Sequence, residues 1–277
     1  MPRTTKALEP VKQSIFERFA PIMLIAIIVL TFFVGTLWQK VQDLEKGDKT
    51  LAAANNQPTQ AAPTPPAVDI SQIKSLFTND KLIKFGDENK KALFVAVEDP
   101  SCPYCSIASG LNPELNKSAG SQFLLVKDGG TYVAPVIEMK KLVDAVKASF
   151  VYIYTPGHGN GEMGTKAMYC AYEKGKFWQV HDKLMTKEGY DLLNNTVKND
   201  KAQSGTIADF LKSAMSATEM KSCLDSGKYD SRITEDVNIA QGLGVSGTPG
   251  FFVNTTRFSG AYSWTQMESA VNTALGI

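Results

Sequence analysis

The order of apolar and polar residues divides the chain into three regions. Residues 19–39 form a run of 21 residues without a charge, and the apolar centre of this run is 21–38. At about 1.5 Å of rise per residue, a helix over the run would be roughly 31 Å long, which matches the hydrocarbon thickness of a bilayer. The pattern predicts one transmembrane helix at 21–38, preceded by a cytoplasmic segment at 1–20.

The residues around the apolar run bear on whether it is a retained anchor or a cleaved signal peptide. A signal peptide usually has roughly 7 to 15 apolar residues followed at once by a small-x-small cleavage site. Here Trp38, Gln39 and Lys40 follow the run instead, which favours a retained anchor. Four Lys and Arg residues precede the run and three follow it before residue 50, which favours a cytoplasmic amino terminus and an extracytoplasmic domain.

The second region is an uncharged spacer. Residues 51–68 carry no charge and are rich in Pro, Ala, Gln and Asn. This composition cannot build a core and suits a semi-extended tether. We assign 39–68 to the linker and 69–277 to one soluble domain. Lys and Arg total 29 against 28 acidic residues, so the charge gives no indication of nucleic-acid binding.

The soluble domain carries a pair of closely spaced cysteines after a predicted buried strand at 92–97. Pro103 suits the first position of a helix, so Cys102 is predicted at the N-cap and Cys105 within the first turn. Unpaired backbone N–H groups and the helix dipole stabilise a thiolate there. The spacing therefore predicts Cys102 as a nucleophile and Cys105 as the residue that resolves a mixed disulfide.

The same Cys-x-x-Cys spacing occurs in zinc ribbons, which is the alternative for this motif. A structural zinc site needs four ligands. The other candidates are Cys170, Cys223, His158 and His181, and none of them is paired at ligand spacing with another. The sequence therefore predicts redox chemistry, with neither a bound metal nor an organic cofactor.

A second feature follows nearly 150 residues later, in the segment Gly244 to Asn254. Thr248 and Pro249 lie there between a Gly-rich turn and a short predicted strand. Proline in this place cannot donate to a strand ladder and favours a tight connection, for which a cis peptide is one form. An ordinary turn proline is the alternative.

Together with the redox motif, these features resemble the DsbA-like branch of the thioredoxin superfamily. Three stretches carry the resemblance: the strand leading into Cys-Pro-Tyr-Cys, the segment KAMYCAYEKGKFWQVHDKLM at 166–185, and GVSGTPGFFVN at 244–254. The resemblance implies an α/β thioredoxin fold over 69–277 with an inserted helical domain at about 160–240. It also implies that substrates dock along Thr248 and Pro249, beside Cys102.

Two departures from the family bear on mechanism. An acidic residue often lies six positions before the first cysteine and assists proton transfer, but this chain has Ala96 there. Glu98 shares the strand face of Ala96 and is predicted as a substitute, with water as the alternative proton acceptor. The Pro103-Tyr104 pair is shared with glutaredoxins and some isomerases, so it does not fix the direction of electron flow.

The remaining cysteines and histidines fall within the implied insert or near it. If Cys102 bonds Cys105, only a Cys170–Cys223 disulfide remains, and two separately buried thiols are the alternative. His181 follows an aromatic pair at helical spacing and is predicted to be structural rather than a catalytic base. His158 is predicted as an exposed loop residue. A short strand is predicted at 123–126.

These features predict a membrane-anchored, extracytoplasmic enzyme that oxidises cysteine pairs in exported proteins. The resemblance implies re-oxidation by a quinone-linked or VKOR-like membrane partner. One alternative is a disulfide reductase or isomerase kept reduced by a membrane electron donor. Another is a tethered, non-catalytic module that binds peptides near Pro249.

Overall fold

A five-stranded mixed sheet organises residues 67–277, the part of the chain that this computed structural model describes. The strand order is β1-β3-β2-β4-β5, with β2 and β3 parallel and every other neighbouring pair antiparallel. The strands are β1 (Ile83–Phe85), β2 (Ala92–Glu98), β3 (Ala148–Tyr154), β4 (Gly250–Val253) and β5 (Thr256–Ser259).

Eleven α-helices are described, and six of them lie between β3 and β4. Five lie outside that interval: α1 (Ile70–Thr78), α2 (Pro103–Ser109), α3 (Pro113–Ser118), α4 (Pro135–Asp144) and α11 (Trp264–Leu275). The six between β3 and β4 are α5 (Glu162–Tyr172), α6 (Phe177–Leu184), α7 (Lys187–Asp191), α8 (Ser204–Phe210), α9 (Ala217–Asp225) and α10 (Asp230–Gly242). A π-helical turn at Leu192–Val197 joins α7 to a short 3-10 turn before α8.

The two central strands are buried on both faces. All seven residues of β2 and all seven of β3 are buried, as expected for parallel strands covered on both sides. Because successive side chains point to opposite faces, Phe94 and Phe150 enter one core, whereas Val95 and Val151 enter the other. The sheet therefore separates two apolar layers.

The two layers differ in what covers them. Ile73 and Phe77 of α1, with Ala240 of α10, pack over the face that holds Val95. The other face is covered by α2, α4, α11 and the helices that follow β3, in one continuous apolar cluster. The Cys-x-x-Cys motif follows the carboxyl end of β2, and both Cys102 and Cys105 belong to this second apolar cluster.

A disulfide and a buried polar network tie the helices between β3 and β4 together. Cys170 of α5 is bonded to Cys223 of α9. Asp236 of α10 accepts hydrogen bonds from the backbone N–H of Tyr154 at 3.2 Å and from the hydroxyl of Tyr169 at 2.8 Å. Its charge is balanced by Arg232, 2.7 Å away. These contacts fix α5 and α10 against β3.

Of two further sequence predictions, one is wrong and the other concerns residues that the structure does not describe. The strand predicted at 123–126 is wrong: the segment forms two 3-10 turns, Ser121–Phe123 and Val126–Asp128. Leu125, between the turns, forms only an isolated bridge with Tyr132. Gly129, at φ 88°, ends the second turn before a strand could extend. In residues 67–277 no helix is long and apolar enough to cross a membrane, and the segment predicted to span, 21–38, lies outside the described residues.

Removal of the Cys170–Cys223 disulfide is expected to lower the free energy of unfolding. The bond closes a loop with a sequence separation of 53, for which loop-entropy arguments give a stabilisation of about 4 kcal/mol. We expect the Cys170→Ala/Cys223→Ala variant to lose about 2–4 kcal/mol in urea unfolding, with Cys102 and Cys105 kept oxidised in both proteins. A loss below about 1 kcal/mol would contradict a structural role.

Candidate active site

The active-site turn follows directly from the end of β2. The chain leaves the sheet at Glu98, turns through Asp99, and enters α2 at Pro103, with Cys102 as the N-cap residue. The backbone N–H of Cys102 donates to the carbonyl of Asp99 at 2.9 Å, which closes the turn. Helix α2 ends at Gly110, whose φ of 70° suits glycine. The local sequence therefore places Cys102 at the start of a short helix.

Cys102 is surrounded by groups that stabilise its thiolate. Its pKa is lowered to about 6, chiefly because the Cys105 thiol donates a hydrogen bond to its sulfur. Burial opposes this shift, and the backbone N–H groups of Cys105 and Tyr104 reinforce it. When it is protonated, the Sγ atom can donate to the carbonyl oxygen of Thr248, 3.4 Å away. Cys102 is consequently the ionised member of the pair at neutral pH.

Cys105 has the opposite environment. It is completely buried, and burial is the main cause that raises the pKa of its thiol well above the usual value. Its hydrogen bond to Cys102 and the negative charges of Cys102 and Glu98 raise the pKa further. The backbone N–H of Asp99 donates to its sulfur at 3.4 Å. Cys105 is therefore a protonated thiol behind an ionised one.

The loop at Thr248 and Pro249 forms one wall beside Cys102. The peptide bond between these two residues is cis. Gly157, in the loop after β3, forms the facing wall: a β-carbon there would lie 1.7 Å from Thr248 Oγ1 and 3.3 Å from Cys102 Cβ. Glycine suits position 157 because its backbone passes so close to the side chains of Thr248 and Cys102.

Asp99 fastens this glycine loop to the active-site turn. Its Oδ2 atom accepts the backbone N–H groups of Gly157 at 2.8 Å, His158 at 2.9 Å and Gly159 at 3.2 Å. Its Oδ1 atom accepts both the N–H and the hydroxyl of Ser101, at 2.8 and 2.6 Å. One buried carboxylate thus collects five donors from two segments, a role for Asp99 that sequence reasoning did not identify.

Glu98 and His181 lie at the rear of the site. Both side chains are buried, and Oε2 of Glu98 is 3.7 Å from Nε2 of His181. Glu98 is the residue predicted to substitute for an acid at Ala96, and its charge contributes to the raised pKa of Cys105. His181 belongs to α6, and its place beside Glu98 was not anticipated from the sequence.

The other candidate residues divide between the site surface and the periphery. Tyr104 is 48% exposed and contacts Phe123 edge-on, with ring centroids 5.8 Å apart. His158 is exposed and contributes only its backbone N–H to Asp99. Cys170 and Cys223 bond to each other and take no part in the contacts of Cys102. Within residues 67–277, no group of three or more His, Cys, Asp or Glu side chains is placed to hold a metal ion.

Alkylation of Cys102 is expected to follow its lowered pKa. Because the thiolate is the reactive form, the rate with iodoacetamide should fall as pH decreases through about 6. Cys105→Ala removes the main hydrogen bond to the thiolate and should move the midpoint upward. Cys102→Ser should abolish the fast reaction. A midpoint near 8.5 in the unsubstituted chain, the value of an ordinary thiol, would contradict this description.

Asp99→Asn is expected to destabilise the domain and loosen the glycine loop. Asparagine keeps one acceptor oxygen and turns an NH2 group toward donors that then have no acceptor. We expect a loss of about 2–3 kcal/mol in the free energy of unfolding, measured with urea. Asp128→Asn, a change of the same chemistry at an exposed position, should alter it by less than about 0.5 kcal/mol. Equal losses in both variants would be inconsistent with the five-donor contact.

Comparison with known proteins gives a consistent fold. A family model described as thioredoxin matches residues 137–273. Among solved structures, α-DsbA1 of Wolbachia pipientis has 16% identity and a TM-score of 0.53, covering 74% of this chain and 96% of that one. Reduced DsbG of Mycobacterium tuberculosis has 19% identity and a TM-score of 0.51, covering 74% and 93%. The catalytic domain of Proteus mirabilis ScsC has 18% identity and a TM-score of 0.50, covering 75% and 96%.

Two curated relatives are much longer than this chain. The Na(+)/H(+) antiporter NhaA 3 of Salinispora tropica is 26% identical over 196 residues, which are 68% of this chain and 24% of that protein. NhaA 1 of Salinispora arenicola is 29% identical over 140 residues, 48% of this chain and 19% of that protein. The fold, the thioredoxin family match and the helices between β3 and β4 agree with the resemblance seen in the sequence. The chain has a thioredoxin-like fold, which it shares with these DsbA, DsbG and ScsC structures.

Proposed function

We propose that the chain is a thiol-disulfide oxidoreductase in which Cys102 is the nucleophile and Cys105 the resolving cysteine. The observation that carries the proposal is the contrast between the two thiols. Cys102 has a pKa lowered to about 6, whereas the completely buried Cys105 has its pKa raised. An ionised sulfur at the front and a protonated one behind it are the two forms that disulfide exchange requires.

The exchange reaction proceeds in two steps. A substrate thiolate attacks Cys102 Sγ of the disulfide, forms a mixed disulfide, and releases Cys105 as the leaving group. The second substrate thiolate then attacks the substrate sulfur of that mixed disulfide, and Cys102 leaves as a thiolate. The substrate loses two electrons and the Cys102–Cys105 pair gains them. A lowered pKa speeds the second step because a more stable thiolate leaves faster.

Substrate would dock along Thr248 and Pro249. The carbonyl of Thr248 lies beside Cys102 Sγ, so an extended segment placed along this loop would present its cysteine to the nucleophile. Tyr104, with about half of its surface exposed, supplies an aromatic contact next to the sulfur. The partners are cysteine-containing proteins, and the chemistry uses no metal or organic cofactor.

The lowered pKa of Cys102 favours the oxidising direction. At pH 7 a thiol with a pKa of about 6 is stabilised by its ionisation by about 1.4 kcal/mol, or roughly 30 mV for a two-electron couple. This is about a fifth of the roughly 150 mV between thioredoxin and DsbA. Ionisation of Cys102 therefore shifts the reduction potential toward that of DsbA, but it supplies only part of the difference between thioredoxin and DsbA.

The place of action follows from two features. Residues 21–38 carry the pattern of a membrane anchor, and a Cys170–Cys223 disulfide is typical of an oxidising compartment. We place the catalytic domain on the extracytoplasmic side, acting on exported proteins. The reduced pair must then give two electrons to an acceptor, for which a quinone-linked or VKOR-like membrane protein is suited.

The reduction potential of the full-length chain, equilibrated in glutathione buffers, tests this function. We expect a value nearer to DsbA's roughly −120 mV than to thioredoxin's roughly −270 mV. A value near the latter would identify a reductase or isomerase instead. Cys102→Ser and Cys105→Ser should each abolish the transition. A transition retained in both variants would contradict any redox role for this pair and favour a peptide-binding module.

A further inference from the structure

A cluster of buried polar atoms lies behind Cys105. Among the described residues, both carboxylate oxygens of Glu98 are buried without a hydrogen-bond partner, as are Nε2 of His181, the hydroxyl of Tyr152 and the hydroxyl of Thr165. Burying unpaired polar groups costs free energy, and a carboxylate costs most. Such a concentration next to a reacting thiol calls for a functional explanation.

His181 is held in one orientation beside Glu98. Its ring is 1% exposed, stacks on Phe177 at a centroid distance of 5.5 Å, and meets Trp178 edge-on at 5.3 Å. Nδ1 lies 2.9 Å from Oδ1 of Asp182, which turns Nε2 toward Oε2 of Glu98 at 3.7 Å. Helix α6, one of the helices between β3 and β4, thus places the imidazole of His181 at the end of β2.

The charges around this pair favour an ion pair. Burial alone would lower the pKa of His181, but the hydrogen bond with Asp182 and the charges of Glu98 and Asp182 outweigh burial and raise it to about 9. His181 is therefore an imidazolium at neutral pH. Three other titratable groups feel the charge of Glu98: Tyr132, Tyr152 and Cys105. The pKa values of the three are raised, in each case mainly by burial, so all are neutral.

We propose that His181 is a positioning residue whose imidazolium pairs with the Glu98 carboxylate and holds it in place, so that Glu98 can accept the proton of Cys105. The inference rests on the redox function proposed above and assigns that function a second residue at the rear of the site. A buried carboxylate without a nearby cation is costly. His181 supplies that cation 3.7 Å from Glu98.

The proton moves with the disulfide bond. When Cys105 attacks a mixed disulfide at Cys102, its S–H bond breaks, the proton goes to Glu98, and the Cys102–Cys105 bond forms as the substrate thiolate leaves. In the reverse direction Cys105 leaves as a thiolate and recovers the proton from Glu98. His181 keeps its own proton throughout, so the summed charge of Cys105, Glu98 and His181 rises by one when the disulfide forms, and the departing substrate thiolate carries the balancing negative charge.

A glutathione experiment on the full-length chain separates the two cysteines. The reduced protein is mixed with oxidised glutathione, quenched with acid at intervals, and analysed by mass spectrometry. Formation of the glutathione adduct reports on Cys102, and its conversion to the intramolecular disulfide reports on Cys105. In His181→Gln we expect adduct formation within twofold of the unsubstituted rate, and resolution slower by about tenfold or more at pH 7.

The pH dependence and a double variant distinguish this role from a structural one. As pH rises, hydroxide takes over removal of the Cys105 proton. The difference in resolution rate between His181→Gln and the unsubstituted chain should therefore become smaller. Glu98→Gln should show the same pH-dependent deficit, and the double variant should be no slower than Glu98→Gln alone. Lys183→Gln, which removes a positive charge from the same helix, should resolve the adduct at the unsubstituted rate.

Three results would overturn the inference: normal resolution in His181→Gln at pH 7, a deficit of equal size at every pH, or additive losses in the double variant. If His181→Gln does not fold, Glu98→Gln carries the test through its pH profile, and a flat profile there overturns the proposal. Failure of the unsubstituted chain to form an adduct would instead contradict the redox function itself.

Discussion

The parallel pairing of β2 with β3 is the constraint on which the active site depends. Parallel strands end at the same edge of a sheet, so the turn after Glu98 and the glycine loop after Tyr154 emerge side by side. Asp99 then joins the two segments with one buried carboxylate that accepts five hydrogen bonds. The close approach of Gly157 to Cys102 follows from this arrangement, and so does the narrow space that remains for a substrate.

Within that frame, two cysteines three positions apart have opposite chemistry because they differ in depth. Cys102 caps the helix start and receives hydrogen bonds from Cys105 and from backbone N–H groups, which lower its pKa to about 6. Cys105 lies one turn deeper, where burial raises its pKa. The hydrogen bond from Cys105 to Cys102 lowers the pKa of Cys102 and raises that of Cys105. It therefore favours a proton on Cys105 over a proton on Cys102.

The rear of the site shows why the helices between β3 and β4 matter to chemistry as well as to stability. They add the apolar cover for one face of the sheet, and they also bring His181 against Glu98. An acid at the sixth position before Cys102 would sit on β2 at Ala96, which is fully buried. The carboxylate of Glu98 lies instead at the end of β2, where His181 of α6 is 3.7 Å away and can supply the opposite charge.

The sequence by itself determined the local features of this protein. The helix start at Cys102, the buried strand before it and the helix around Cys223 follow from proline placement and apolar periodicity, which act between near neighbours. Only the tertiary structure decided what meets across the fold. Four features depend on how the sheet and the helices pack. They are the five donors of Asp99, the fit of Gly157 against Thr248, the turns that replace a strand at 123–126, and the contact of His181 with Glu98. A single sequence records the residue types for such contacts but not their pairing, because burial and close approach are properties of the packed chain.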